Sequence, residues 1–341
     1  CVTWLVANEP SVGGSRSKAI LLGQRLCELG YIHHVCRQMT FDDAELYFRF
    51  SNDEPAAALN MRHRYARSDI GDVEKYGERL RNDAMALRDA AVAFADGKSE
   101  SGAANEPLPA AVDEGYRHIS TTTTYKNFAE STLALQVVPL AALPRAVKIA
   151  FLINVYNALI QHAALSLGGK PRTNVARSIF FNAAAYNIGG MHFTANDIEN
   201  GILRANRRAP YSLRVPFRAT DSRARCALAA CEPRIHFALN CGAASCPPVG
   251  AYRSDTLDAD LDAAAAAFLE GDDALHVDSD MRTVTLSKIF SWYAVDFGAD
   301  ERGVLTSLSR LAPPGDKRDA LLALLTTHAK IRVRYAPYNW D

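Results

Sequence analysis

The uncharged stretch IAFLINVYNALIQHAALSLGG at residues 149–169 is the segment from which the fold of this chain can be worked out. Its apolar residues predict a helix around 145–167, but the side-chain amides within it would be costly inside a bilayer. Asn154, Asn157 and Gln161 share one helical face, at positions i, i+3 and i+7. We therefore expect a buried helix of a globular protein, whose amides either line a cleft or tie neighbouring loops together.

The composition around this helix is that of an ordinary globular protein. The chain has 341 residues, 48% of them hydrophobic, and its 38 Lys and Arg balance its 38 Asp and Glu. This balance excludes a polybasic nucleic-acid binder and a disordered acidic tail. The length suggests about two domains. Seven cysteines in a chain this long indicate a reducing compartment rather than a secreted disulfide framework.

The first fifty residues predict a helix followed by a β-hairpin. Ala19, Leu22, Leu26 and Leu29 fall on one helical face. Gly30 then occupies the position of a helix C-cap. Two strand-like runs follow, at 31–36 and 46–50, and a polar segment separates them.

This N-terminal segment resembles the later two-thirds of a DEP domain. The similarity is carried by TWL at 3–5, SKAILLGQRLCELGYIHHV at 17–35 and FDDAELYFRF at 41–50. The resemblance implies a small winged-helix-like module, assigned to residues 1–51, that docks to a membrane surface or to a membrane-bound signalling protein. We expect the front of the module and its first helix to be missing, as the start at Cys1 rather than Met also suggests. Residues 1–50 contain five basic and five acidic residues, so the segment has no net positive charge to attract anionic lipid. Membrane docking is therefore implied by the resemblance alone.

Residues 52–111 are predicted to be a helical linker region. Apolar residues recur at helical spacing between Val73 and Ala91, which predicts an amphipathic helix over 72–95. The sequence DGKSESGAANEPLPA at 96–110 is small, polar and broken by two prolines, and it predicts a loop.

A larger domain is assigned to residues 112–341. After the apolar helix we predict a turn at Gly189–Gly190 and a helix opened by Thr194 with Asp197 in a capping box. The alternation in 234–240 predicts a strand. Further along the chain, the pattern predicts helices at 257–270 and 321–328 and a strand at 331–335.

This domain resembles a family of unknown function, DUF547. The motifs that carry the similarity are FLINVYNALIQHA at 151–163, YNIGGMHFTANDIENGILR at 186–204, PRIHFALNCGAASCPPV at 233–249, LSKIFSWYAVDFG at 286–298 and YAPYNWD at 335–341. The resemblance implies membership of a fold family rather than an activity. Together the two resemblances predict an α+β protein, in which a helix/hairpin module is joined to a larger mixed α+β domain.

The predicted strand at 234–240 contains the candidate catalytic residues. Alternation places His236 and Asn240 opposite the core-facing side chains. In an enzyme, His236 would be a general base whose partner is the thiol of Cys241 or Cys246. Asn240 or Asn154 would then orient or stabilise the reacting groups. The competing interpretation is a structural histidine that binds a backbone carbonyl.

Cysteine and histidine recur every five residues, at Cys226, Cys231, His236, Cys241 and Cys246. Offsets of five alternate faces along a strand, so these residues would not converge on one zinc ion. We therefore predict no metal and no cofactor. Cys241 and Cys246, in the loop NCGAASCPP, are placed to form a reversible disulfide or to be two small buried thiols.

The zero net charge is a sum over segments of opposite sign. Residues 204–234 hold eight arginines, and 255–280 hold nine acidic residues with no Lys or Arg. One interpretation is an anion- or partner-binding patch. Its residues would be Arg204, Arg207, Arg208, Arg214 and Arg218. The other interpretation is that the two segments pair with each other or face solvent.

These patterns predict an adaptor-type protein of intracellular signal transduction, cytoplasmic and peripheral to a membrane. Its partner would be a membrane surface or a membrane-bound protein, and not a nucleic acid. Two alternatives stay open: a thiol-dependent hydrolase or transferase using His236 with Cys241 or Cys246, and a redox sensor using the two cysteines. Whether the chain is an enzyme, and on which substrate, is left open by the sequence.

Overall fold

The computed structural model describes residues 2–28, 32–34, 41–44, 48–50, 58–61, 70–100, 108–210, 212–327 and 330–340. Within these residues, helices are combined with three small sheets that are mostly antiparallel. This mixture confirms the predicted α+β class.

The described helices are α1 Val2–Asn8, α2 Arg16–Glu28, α3 Val73–Glu100, α4 Leu108–Ser120, α5 Thr123–Ser131, α6 Arg145–Leu167, α7 Asn174–Ala183, α8 Leu257–Glu270, α9 Ile289–Trp292, α10 Ala294–Phe297, α11 Glu301–Leu311 and α12 Asp316–Thr326. The strands are β1 Ile32–His34, β2 Phe48–Phe50, β3 Ala185–Ile188, β4 Met191–Thr194, β5 Leu275–Asp278, β6 Thr283–Leu286 and β7 Arg332–Tyr335.

The N-terminal residues form a small unit in which α1, α2 and a hairpin share a core. Strands β1 and β2 pair antiparallel, so the predicted hairpin is confirmed over its paired residues. Its core contains Val12, Ala19 and Phe41. Phe41 lies so close to α2 that a Cβ at Gly23 would be 2.2 Å from its ring, and the contact therefore requires glycine. The predicted cap Gly30 lies outside the described residues.

Helix α6 is the centre of the larger core. Every residue from Lys148 to Leu165 is buried, and α3 and α4 pack against it. Among the described residues, α6 is long and apolar enough to cross a membrane. However, 94% of the apolar 18-residue segment that meets this criterion is buried inside the protein. Because its apolar surface is covered on all sides by protein, α6 is the predicted core helix.

Helix α3 packs into this same core. Tyr76, Leu80 and Ala84 are buried in the cluster that surrounds α6. Helix α3 continues to Glu100 and α4 begins at Leu108, so both ends of the predicted loop at 96–110 are helical, and its middle lies outside the described residues. The boundaries 1–51, 52–111 and 112–341 stay predictions, although the packing joins α3 to the larger domain.

The hairpin β3–β4 and the helix that follows it match their predictions. Gly189 and Gly190 form the turn, and both have positive φ. Thr194 and Asp197 form a reciprocal capping box, in which each backbone N–H donates to the other's side chain at 3.0 Å. The helix they open, Asp197–Leu203, is π-helical.

A second core lies between α8, α11, α12 and the three-stranded sheet. Strand β6 pairs antiparallel with β5 and parallel with β7, and helices α9 to α12 supply the crossover that a parallel pair requires. The structure confirms the predicted helix at 257–270, while α12 begins earlier than the predicted 321. Strand β7 is one residue shorter than the prediction at 331–335.

The predicted strand at 234–240 is wrong. Residues Pro233–Phe237 form a 3₁₀ turn instead, and the segment has no strand partner. Pro233 has the backbone conformation of a first helical position, and the side chain of Glu232 caps the turn by accepting from the backbone N–H of Arg234. Because a turn does not alternate its side chains as a strand does, the predicted placement of His236 and Asn240 on one face does not hold.

Candidate functional site

A short loop after the 3₁₀ turn brings two cysteines together. Asn240 braces this loop, since its Oδ1 accepts from the Gly242 N–H and its Nδ2 donates to the Pro247 carbonyl, both at 2.8 Å. Gly242 has φ of 90°, a conformation that favours glycine. The sulfur atoms of Cys241 and Cys246 lie 3.0 Å apart as free thiols. Asn240, predicted as an orienting residue, therefore acts by shaping the thiol loop.

The amides of α6 fasten this loop and its continuation to the core. Asn157 donates to the Ala238 carbonyl at 3.0 Å and accepts from the Asn240 N–H at 2.9 Å. Asn154 makes the same pair of bonds with the backbone of Tyr252. Of the two predicted roles for these amides, the structure shows the tying of loops. Asn154 binds Tyr252 rather than a thiol.

The C-terminal segment covers the thiols with an aromatic cluster. The Tyr338 hydroxyl lies 3.3 Å from the Cys246 sulfur and 3.7 Å from that of Cys241. The rings of Trp292 and Trp340 pack around Tyr338. The thiol loop and this segment are joined by two hydrogen bonds between Ser245 and Asn339, at 3.0 and 2.9 Å.

The two thiols of this pair have pKa values shifted in opposite directions. The hydrogen bond from Cys241 lowers the pKa of Cys246 to about 6, with help from Tyr338, against the opposing effect of burial. The same hydrogen bond, together with burial, raises the pKa of Cys241 well above its ordinary value. Near neutral pH the site therefore holds a thiolate at Cys246 and a protonated thiol at Cys241.

His236 does not pair with either cysteine. Its Nε2 lies 2.8 Å from the Asp296 carboxylate, and its ring stacks on Tyr293 at a centroid distance of 3.9 Å. Within the described residues, the hydrogen bonds of His236 go to Asp296 and not to a sulfur atom. The helical turn aims the imidazole inward, so the predicted histidine–thiol dyad is not assembled.

Asp296 is the centre of a buried charge network. It accepts from Arg204 through two nitrogens and from Arg207 at 2.7 Å, in addition to its contact with His236. Arg204 is 1% exposed and also donates to the Asn200 side chain. Arg204 and Arg207, two residues of the predicted anion- or partner-binding patch, are thus bound to Asp296. Arg208, Arg214 and Arg218 are exposed.

The basic and acidic segments pair in part, as one of the two interpretations predicted. Arg234 binds Asp258 at 2.7 Å and Asp262 at 2.8 Å, and both carboxylates belong to α8. This contact fastens the 3₁₀ turn to α8, so it has a structural role.

Beside the thiol site, two tyrosine hydroxyl groups donate hydrogen bonds to a buried glutamate. Glu199 accepts from the hydroxyl of Tyr293 at 2.6 Å and from that of Tyr156 at 3.2 Å. Burial raises the pKa of both tyrosines, and the negative charge of Glu199 raises it further. The thiol loop, the glutamate and the Asp296 network are therefore neighbouring parts of one polar interior.

Tyr293, Asp296 and Tyr338 belong to this interior, although no local sequence pattern singles them out. Each lies in a motif that carries the family resemblance, the first two in LSKIFSWYAVDFG and the third in YAPYNWD. Motif membership was therefore the only available signal. In the described residues there is no group of three or more His, Cys, Asp and Glu side chains that could hold a metal.

Comparison with known proteins identifies one family and two similar proteins. Residues 140–269 match the family described as "Protein of unknown function, DUF547". The "Phosphatidylinositol 3,4,5-trisphosphate-dependent Rac exchanger 2 protein" of Homo sapiens is 37% identical over 73 residues, which are 21% of this chain and 4% of that protein. The corresponding Rac exchanger 1 protein of Mus musculus is 36% identical, also over 73 residues that cover 21% of this chain and 4% of that protein.

The matched segment lies in the N-terminal part of the chain and fits a DEP-like region before the residues that match DUF547. The chain thus spans only a small part of the length of these two relatives. No solved structure matches the chain.

Proposed function

We propose, starting from a DUF547 domain at residues 140–269 and a DEP-like region before it, that this chain is a signalling-related protein whose larger domain responds to oxidation. The responsive group is the thiol pair Cys241 and Cys246. The observation that carries the proposal is the 3.0 Å separation of the two sulfur atoms in a loop that is braced on both sides.

The chemistry requires an oxidant of the hydroperoxide class. The Cys246 thiolate attacks the peroxide, so that an S–O bond forms, the O–O bond breaks, and the leaving oxygen takes a proton. Cys241 then attacks the sulfur of the resulting sulfenic acid. The S–S bond forms, the S–O bond breaks, and water leaves with the proton of Cys241. In total, two thiols lose two electrons and two protons, and the peroxide becomes an alcohol, or water, plus a second water.

Hydroperoxide treatment of the full chain tests this proposal. We expect a disulfide between Cys241 and Cys246, detected by peptide mass spectrometry under non-reducing conditions. Cys241→Ser should leave Cys246 as a sulfenic acid that dimedone traps, because the resolving thiol is gone. Cys231→Ser is the matched control, since burial raises the pKa of Cys231 to about 12 and its thiol is unreactive at neutral pH. Absence of the disulfide in wild type would overturn the proposal.

The pH dependence of thiol alkylation gives a second readout in the same experiment. The pKa of Cys246 is about 6, so its alkylation should rise as the pH passes through 6 and then level off. Tyr338→Phe removes one of the hydrogen bonds that lower this pKa and should move the midpoint to higher pH. A wild-type midpoint near the ordinary thiol value of about 8.5 would contradict the assignment of Cys246 as the thiolate.

The DEP-like region adds a docking role to this proposal. We propose that residues 1–51 attach the protein, in the cytoplasm, to a membrane surface or to a membrane-bound signalling partner. Support comes from the similarity to two proteins whose names describe phosphatidylinositol 3,4,5-trisphosphate-dependent Rac exchangers. Trp4 on α1 and Leu21 on α2 are 65% and 64% exposed, which leaves apolar surface for a partner.

A further inference from the structure

We propose that the DUF547 domain carries its own docking surface for an anionic phospholipid bilayer. The surface consists of the exposed side chains of Arg208, Leu213, Arg214, Val215 and Arg218, here termed the arginine loop. It is separate from the DEP-like region, and the proposal does not depend on that region.

The two ends of the arginine loop are held firmly against the protein. Asn206 donates to the Phe217 carbonyl at 2.8 Å and accepts from the Phe217 N–H at 2.9 Å, so the chain leaves and returns at one point. Phe217 is 1% exposed. Its ring packs so closely against Gly201 that a Cβ at that position would lie 2.4 Å from the ring. Arg204 and Arg207, just before the loop, are bound to Asp296. The residues at both ends of the arginine loop are therefore fixed by hydrogen bonds, ion pairs and packing.

The tip of the loop is apolar and open to solvent. Leu213 is 89% exposed, more than any other large apolar side chain among the described residues, and Val215 is 41% exposed. The exposed part of these two side chains is not buried by any other part of the described chain. It would be removed from water if the tip entered the boundary between lipid headgroups and acyl chains.

The side chains around this tip are positively charged. Arg208, Arg214 and Arg218 are exposed, and none of the three forms a salt bridge within the described part of the chain. The sequence 206–218 contains no acidic residue. Arginines beside an inserted apolar side chain match a bilayer that presents anionic headgroups above apolar chains. An acidic protein surface would form ion pairs with the arginines but would offer no apolar environment for Leu213.

Sedimentation of the full chain with lipid vesicles tests the proposal. The vesicles are phosphatidylcholine alone, or phosphatidylcholine in which part of the lipid is replaced by phosphatidylserine. We expect binding to the anionic vesicles and much weaker binding to the neutral ones. Arg214→Gln with Arg218→Gln should weaken binding about tenfold or more, since each arginine near an anionic surface contributes roughly fivefold. Leu213→Ser should weaken it by about tenfold, because the inserted apolar surface is lost.

Matched variants separate this loop from other surfaces. Arg332→Gln with Arg334→Gln removes two exposed arginines of β7, and Met281→Ser removes a side chain that is 65% exposed elsewhere. Neither should change vesicle binding.

The proposal is overturned if wild type binds neither vesicle, or if the loop variants bind as wild type does. In the latter case the membrane contact lies elsewhere, and docking through the DEP-like region still stands. Loss with the arginine variant but not with Leu213→Ser would mean an anion patch without insertion, which also overturns it.

Discussion

The buried carboxylate of Asp296 binds three cationic or titratable side chains. It accepts hydrogen bonds from Arg204, Arg207 and His236, and its side chain has no exposed surface. Burial acts to raise its pKa, but hydrogen bonds from His236 and Arg204 outweigh burial and keep the pKa of Asp296 below its ordinary value. Removing one partner of such a pair is costly, because the remaining charge stays buried and unpaired.

Replacing this carboxylate should therefore destabilise the protein strongly. We expect Asp296→Asn to lower the free energy of unfolding by about 3–5 kcal/mol at neutral pH, measured by urea denaturation. Because the folded-state pKa of Asp296 is depressed, its contribution is fully present above about pH 4 and is lost as the pH falls further. The difference between wild type and variant should shrink accordingly in acid.

An exposed ion pair provides the control for this substitution. Arg253 and Asp255 lie 3.3 Å apart with side chains 56% and 63% exposed. Asp255→Asn should change the free energy of unfolding by about 0–1 kcal/mol. Equal losses from the two substitutions would show that burial of Asp296 does not set its contribution.

At the scale of elements, the β3–β4 hairpin shows how one turn is fitted to its surroundings. Gly189 and Gly190 have φ of 60° and 79°. The Gly189 N–H donates to the Leu135 carbonyl at 2.9 Å, and a Cβ at Gly189 would lie 2.4 Å from the Val138 carbonyl oxygen. At Gly190 nothing lies within 4 Å of such a Cβ. Only the first glycine is therefore required by packing as well as by backbone conformation.

Alanine substitutions at these two positions separate the two requirements. Gly190→Ala should cost about 1–2 kcal/mol of stability, the penalty of a left-handed backbone for an L-residue. Gly189→Ala should cost more, because the added methyl group meets a backbone carbonyl that cannot move aside without shifting the 3₁₀ segment Thr132–Val137 and its continuation. Thermal unfolding of the two variants measures the difference. A Gly189→Ala variant as stable as Gly190→Ala would refute the close approach.

At the scale of the whole molecule, α3 and α6 share one core, although the sequence patterns placed α3 in a linker region. Leu80 on α3 is fully buried in the cluster around α6. The side chain of Glu74 also accepts two hydrogen bonds from Ser254, far along the chain. We therefore expect α3 to unfold together with the larger domain rather than independently of it.

Leu80→Ala tests this coupling. It should lower the free energy of unfolding by about 2–5 kcal/mol, because a buried side chain is replaced by a cavity. Fluorescence of Trp292 and Trp340, in a Trp4→Phe background, reports unfolding of the larger domain. Val92→Ala, at a position 37% exposed on the same helix, should have a small effect. An unchanged midpoint with Leu80→Ala would mean that α3 is energetically independent.

Local features of this protein could be predicted from its sequence alone. The sequence predicts the amphipathic period of α3, the apolar run of α6, the glycine turn of β3–β4 and the Thr194–Asp197 capping box. These features depend on residues within about one helical turn or one hairpin of each other, so the signal lies in neighbouring positions. The short spacing of Cys241 and Cys246 likewise indicated that the two thiols could meet.

Partners that are distant in sequence were decided only by the tertiary structure. Alternation placed His236 on the face opposite the core, but its side chain is buried and its partner is Asp296, 60 residues away. The contact of Tyr338 with Cys241 spans 97 residues, and that of Arg204 with Asp296 spans 92. Such pairs form only after several elements have packed, and a local hydrophobic period carries no information about them. The sequence by itself therefore determined local features, among them the helix α6, the β3–β4 turn and the Thr194–Asp197 capping box, because these depend on neighbouring residues. Packing across the two cores decided which polar and titratable side chains meet.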